Sequence, residues 1–206
     1  MDELFNANRL LWHGDKIRLW QEGKNPYPIN MDIDLTGACN LRCPRCAGGE
    51  RKGHMDKDVL LRAVRELRDG DVRGIVYTGG GEPTMHGDIC EVIAATRKMG
   101  FSVGLITNGT RLTKEIIETV VDNNSWVRVS LDSYNEDSYG RNYGVDGEMF
   151  HVATKGIQAL ADARNSREST CTVGVGYLVD DYVIEGMEST ARMVREFGAD
   201  YIQFRR

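Results

Sequence analysis

Three cysteines spaced Cys39-x3-Cys43-x2-Cys46, within the stretch CNLRCPRC, are the residues of this chain best suited to chemistry. A cube of four irons and four sulfides is ordinarily held by thiolates, one per iron. Three thiols in one tight run would leave one iron open to another ligand. Two other readings stand beside this one: a zinc knuckle missing its fourth ligand, and buried cysteines grouped by chance. Structural zinc usually takes four ligands, often as paired CxxC arms. The residues downstream of the cysteines decide between these readings.

Elements that could position such a site alternate along the chain. Short β-branched runs at 31–35, 74–78, 102–107, 126–132, 171–179 and 200–204 read as strands. Between them, 56–69, 87–99, 113–123, 147–163 and 182–197 carry apolar residues at helical spacing. Asp56 and Thr113 read as N-caps, and Gly70, Gly100 and Gly198 fall where helices should stop. Alternation of this kind predicts a parallel sheet with right-handed crossovers. Residues 1–30 read as a lead-in with a helix at 2–12 and a proline-bounded entry, NPYPI; residues 31–206 read as the core domain.

The period of two sharpens the fold. Asp32 and Asp34 share one face of the first strand, and Arg128, Ser130 and Asp132 share one face of the fourth. In the sixth, Tyr201, Gln203 and Arg205 oppose Ile202 and Phe204. A flat parallel sheet covered on both sides would be apolar on both faces. Polar faces on several strands instead predict a curved sheet, helices outside, around a polar lumen. The fold class is therefore α/β, a barrel or partial barrel of parallel strands whose site lies at the strand C-termini.

Each strand end carries something unusual. The first runs into the cysteines, the second into Gly79-Gly80-Gly81-Glu82-Pro83, and the third into Thr107-Asn108-Gly109. The fourth ends in Ser130 and Asp132, the fifth contains Gly174 and Gly176, and the sixth ends in Gln203 and Arg205. A glycine run lets the backbone approach a ligand closely. A phosphate loop would need a following Lys-Ser/Thr, which is absent.

Taken together, CxxxCxxC after the first strand and GGGEP after the second resemble the radical S-adenosylmethionine (radical SAM) family, over residues 31–206. The resemblance implies a partial (β/α)6 TIM-like barrel in which Cys39, Cys43 and Cys46 each bind one iron of a [4Fe–4S] cluster. The fourth iron would be chelated by the amino and carboxylate groups of S-adenosylmethionine. An electron from the cluster then breaks the C5′–S bond, and the 5′-deoxyadenosyl radical removes hydrogen from a substrate. The resemblance assigns Gly79, Gly80, Gly81 and Glu82 to the methionyl amine. It assigns Ser130 and Asp132 to the ribose or methionyl carboxylate. Arg141, in the loop after strand four, would reach the carboxylate, with Asn108 a further contact. The adenine would pack on strand five near Gly174 and Val175, flanked by Leu41 and the backbone around Arg45. An external electron donor such as flavodoxin or ferredoxin is implied as a partner.

Other residues read as bystanders. Cys90 and Cys171 read as small buried hydrophobes, and His13, His54, His86 and His151 as surface or capping residues. Trp12 and Trp20 are expected to seal the barrel bottom or one side. Asp34, and less so Asp32, face the lumen, in a substrate or a structural-polar role. The net charge of −5 gives no basic surface for nucleic acid. No apolar run approaches a bilayer span and no signal peptide is read, so a cytoplasmic protein is expected. Asn108-Gly109-Thr110 matches a glycosylation acceptor, which has little meaning without secretion.

The chain stops directly after strand six, whose apolar outer face should not be left bare. The expectation is part of a longer enzyme, with a missing C-terminal region or another chain closing the barrel. For substrate, the polar lumen favours a small polar metabolite. A peptide- or protein-modifying enzyme is the alternative, and a non-catalytic iron–sulfur or zinc module a remote third.

Overall fold

The computed structural model describes residues 12–46 and 53–206. The predicted helix at 2–12 falls almost wholly outside the described residues. A short helix that the periodicity did not predict, α1 (Gly14–Gln21), precedes the first strand. Then come β1 (Asn30–Asp34), α2 (Lys57–Asp69), β2 (Gly74–Thr78), α3 (Ile89–Lys98), β3 (Ser102–Thr107), α4 (Lys114–Asn123) and β4 (Trp126–Ser130). The chain continues through α5 (Glu136–Tyr143), α6 (Met149–Ser166), β5 (Thr172–Leu178), α7 (Met187–Glu196) and β6 (Tyr201–Arg205).

All six strands pair in parallel in the order β1-β2-β3-β4-β5-β6, giving an open sheet with β1 and β6 at its edges. This is the expected partial barrel rather than a closed one. Strand faces split as the alternation requires. Val127 and Val129 are fully buried, whereas Trp126, Arg128 and Ser130 on the other face are half-buried. In β1, Asp32 and Asp34 are exposed while Met31 and Ile33 pack against the core. The core fills the space between the sheet and the outer helices, with Leu60 and Val64 of α2, Val92 and Ile93 of α3, Val120 of α4 and Leu160 of α6.

Helix ends obey local chemistry. Asp56 accepts from the amides of Asp58 and Val59, and Thr113 from that of Ile116, so both predicted N-caps are present. A second helix was not predicted: α5 occupies the stretch read as a loop after strand four. It is started by a reciprocal capping box between Asn135 and Ser138 and stopped by Gly144 at φ 64°. Its buried residues Tyr139 and Tyr143 stand one helical turn apart. Arg141 therefore projects from a helix, not a loop.

The tryptophans do not seal the barrel. Trp12 is 57% and Trp20 71% exposed. Helix α1 docks through polar groups instead: the Lys16 ammonium is buried 2.9 Å from Asp71, and Arg73 bonds Asp15 and His13. Cys171 is buried as expected, and Cys90 packs half-buried at the core edge.

Candidate active site at the strand ends

The loop that carries the cysteines is tied to its neighbours at nearly every step. The Thr36 hydroxyl donates to Gly53 O and accepts from the Ala38 amide. Ala38 O accepts from the Glu82 amide at 2.8 Å, joining this loop to the glycine run. Asn40 donates to Thr110 Oγ1 at 2.8 Å and accepts from Asn108 Nδ2 at 3.0 Å, joining it to the end of β3. The Arg42 amide donates to Tyr143 O, and Arg45 pairs with Asp180, which joins it to α5 and the end of β5.

The glycines are required by close approach. A methyl group on Gly81 would sit 2.2 Å from Ala38 O, so any larger residue would push the cysteine loop away. Gly79 has φ 131°, and a methyl there would meet the Asp34 carboxylate at 2.0 Å. That carboxylate accepts the Gly80 amide at 3.0 Å, which gives Asp34 a place beneath the glycine turn.

Glu82 points inward. Its buried carboxylate accepts from Thr84 N and Oγ1, from Thr107 Oγ1 at 2.5 Å and from Asn108 N at 2.7 Å. The side chain thus fastens the end of β2 to the end of β3, a role spacing alone did not signal. His86, read as a surface or capping residue, is buried. Its ring accepts the Asp88 amide on Nδ1 and donates from Nε2 to Met55 O, bracing the segment after the cysteine loop.

Two adjoining clefts open at these strand ends. The smaller, about 240 Å³, is lined by Cys39, Cys43 and Cys46 together with Gly79, Gly81, Glu82, Asn108, Ser130 and Asp132. The larger, about 480 Å³, shares Cys43, Arg45, Asp132 and Tyr143 with it and adds Arg141, Leu178, Asp180 and Tyr182. The Arg141 guanidinium stands 5.1 Å from the centre of the Tyr182 ring. Gly174 and Val175 are not brought to either cleft. Gly174 lies mid-strand under the Tyr201 ring, and the Val175 side chain is fully buried on the opposite face. Gly80 lies just behind the small cleft, held by Asp34.

Burial governs the electrostatics. It pushes the Cys43 thiol up to about 11 and raises Cys39 as well, although the Leu41 amide, 3.5 Å from Cys39 Sγ, works in the opposite direction. Burial likewise lifts the Asp132 carboxyl above its ordinary range, partly offset by the Leu178 amide that it accepts at 2.6 Å.

Residues 33–194 match the sequence profile of the radical SAM superfamily, and the chain belongs to that superfamily. Among curated relatives, it is 29% identical over 152 residues to the GTP 3′,8-cyclase of Cronobacter sakazakii, covering 69% of this chain and 45% of that protein. It is 28% identical over 171 residues to the AdoMet-dependent heme synthase of Methanosarcina barkeri, covering 81% of this chain and 47% of that protein. The solved structure of Streptococcus suis SuiB bound to the precursor peptide SuiA superposes with a TM-score of 0.74 at 18% identity, over 98% of this chain and 45% of that one. This chain thus spans less than half the length of these proteins.

The superfamily's cofactors are a [4Fe–4S] cluster and S-adenosylmethionine. The donor set fits them. Three thiols, none in a disulfide, line one cleft, and the described residues contain no group of three or more His, Cys, Asp or Glu gathered as a single metal ion would need. A cube spreads its protein ligands over separate irons. No described helix is long and apolar enough to cross a membrane.

Proposed function

We propose that this chain is the catalytic core of a radical SAM enzyme acting on a small polar metabolite. Cys39, Cys43 and Cys46 hold three irons of the cluster. Backbone groups of Gly79 to Glu82 meet the methionyl amine, and Ser130, Asp132, Asn108 and Arg141 contact the ribose and carboxylate. The observation that carries this is the single cleft on which all three thiols and the ends of β2, β3 and β4 open. When bound, the cluster and S-adenosylmethionine together supply a 5′-deoxyadenosyl radical that takes a hydrogen atom from the substrate.

The residues of this chain do the positioning. Glu82 and the Asn40–Asn108 bond keep the ends of β2 and β3 and the cysteine loop in one register. Asp132 keeps one carboxylate oxygen on the Leu178 amide, so its other oxygen serves the cleft. A hydroxyl-rich ligand such as a ribose suits that acceptor. A low-potential donor such as flavodoxin or ferredoxin supplies the electron.

The polar lumen supports a metabolite substrate, as do the named activities of the sequence relatives, a nucleotide cyclase and a heme synthase. The test is anaerobic reconstitution followed by mass spectrometry for 5′-deoxyadenosine. Its absence with a full, reduced cluster would overturn the catalytic reading. Deuterium transfer from labelled candidates into 5′-deoxyadenosine then discriminates metabolites from peptides.

A further inference from the structure

The polar face of β4, β5 and β6 holds two arginines where a pair of like charges needs an explanation. In the sheet register Arg128 lies beside Gly174 and Ser130 beside Gly176, while Gly176 lies beside Gln203. The two glycines leave β5 bare on this face, and neighbouring side chains lean over it. A methyl on Gly176 would sit 3.3 Å from Arg205 Nη2 and 3.5 Å from Arg128 Nε. The two guanidiniums therefore converge on one point from opposite sides.

Among the described residues neither guanidinium forms a salt bridge with a carboxylate; Asp32 acts on Arg128, and Asp132 on Arg205, only through space, and the Arg128 guanidinium lies 5.9 Å from the centre of the Trp126 ring. Arg128 donates from Nη1 to Gln203 Oε1 at 3.2 Å, but its Nε is buried without a hydrogen-bond partner. Of the nearby acids, Asp32 accepts from Asn30 at 3.4 Å and Asp132 holds one oxygen on the Leu178 amide, and neither gives the Arg128 Nε an acceptor. A buried donor left without an acceptor, beside a second cation, costs stability unless an anion fills the gap. Planar guanidiniums match the paired oxygens of a carboxylate or phosphate.

We infer that Arg128 and Arg205, with the Gln203 amide, form a lumen site for an oxyanion, a carboxylate or phosphate carried by the substrate. This deepens the proposed function and rests on the reading that the substrate enters this lumen. The site is distinct from Arg141, which stands in the larger cleft on α5. It lets the substrate be held by its charged end, with the atom that reacts held toward the cysteine loop.

Isothermal titration of the anaerobically reconstituted chain with inorganic phosphate and with succinate tests this at low ionic strength. Wild type should bind at least one probe, and the preferred one tells a phosphate-bearing from a carboxylate-bearing substrate. R128Q and R205Q should each weaken binding by about tenfold or more. R192Q, changed on the exposed side of α7, should bind like wild type. If R128Q does not give a native circular dichroism spectrum, the exposed Arg205 carries the test alone. The site is refuted if wild type binds neither probe, or if R205Q binds as wild type does. The radical SAM reading fails on a different readout, when wild type with a full cluster makes no 5′-deoxyadenosine, so the two failures are told apart.

Discussion

The Glu82 carboxylate accepts the backbone N–H of Asn108 at 2.7 Å, 26 residues further along the chain and on the next strand end. The same side chain accepts the Thr107 hydroxyl. With the two donors of Thr84, removing it strands four buried donors at the mouth of the site. E82A should lower stability by about 2–4 kcal/mol in urea unfolding. E82Q should fall between that variant and wild type, because its amide nitrogen cannot accept. A loss within experimental error for E82A would show that the bonds are replaceable by water.

Gly81 is the position where backbone meets backbone. G81A should cost about 1–3 kcal/mol and, more tellingly, reduce iron bound per chain after reconstitution. The Ala38 carbonyl has to move away from the added methyl, and Cys39 is its chain neighbour. Iron content equal to wild type would mean that the cysteine loop tolerates the shift.

The thiols divide by location. C39A, C43A and C46A should each abolish a stable four-iron cluster and 5′-deoxyadenosine formation. C90A should keep both, since Cys90 lies on α3 away from the clefts. Iron analysis and the absorbance of the reconstituted proteins separate these outcomes.

Burial pushes the Cys171 thiol up to about 12 from an ordinary value of 9.0. Its raised value favours the neutral form in the folded state, so the associated stability is complete below pH 9.0 and is lost as pH rises toward about 12. At pH 8, iodoacetamide on native cluster-free protein should therefore label the exposed Cys46 and leave Cys171 unmodified. Peptide mapping reads this directly. Rapid native labelling of Cys171 would contradict its burial.

Much of this arrangement was legible in the amino acids because local signals carried it. Asp56 and Thr113 mark their helices within one turn, and the alternation in WVRVS shows which face of β4 is polar. The cysteine spacing and GGGEP needed no tertiary knowledge. What was missed depended on distant partners. The grip of the Glu82 carboxylate on Thr107 and Asn108 shows only once those strand ends come alongside, and the burial of His86 only with Met55 O against its ring. Helix α5 was hidden by its weak helix formers, Ser138, Gly140 and Asn142. Its only signals were the Asn135 cap and the Tyr139–Tyr143 spacing. The alternation placed Gly174 and Val175 on opposite faces of β5, but it could not show the Tyr201 ring that lies over Gly174.

The ties from Ala38, Asn40 and Arg42 to three separate strand or helix ends have a consequence for assembly. Ordering a loop residue costs about 1–2 kcal/mol of conformational entropy. Each tie gives a loop residue a partner at one of those ends, so part of that loss is offset by the fold itself and less is left for the iron to offset. On that reasoning a cluster lost to oxygen should be replaceable without refolding the chain.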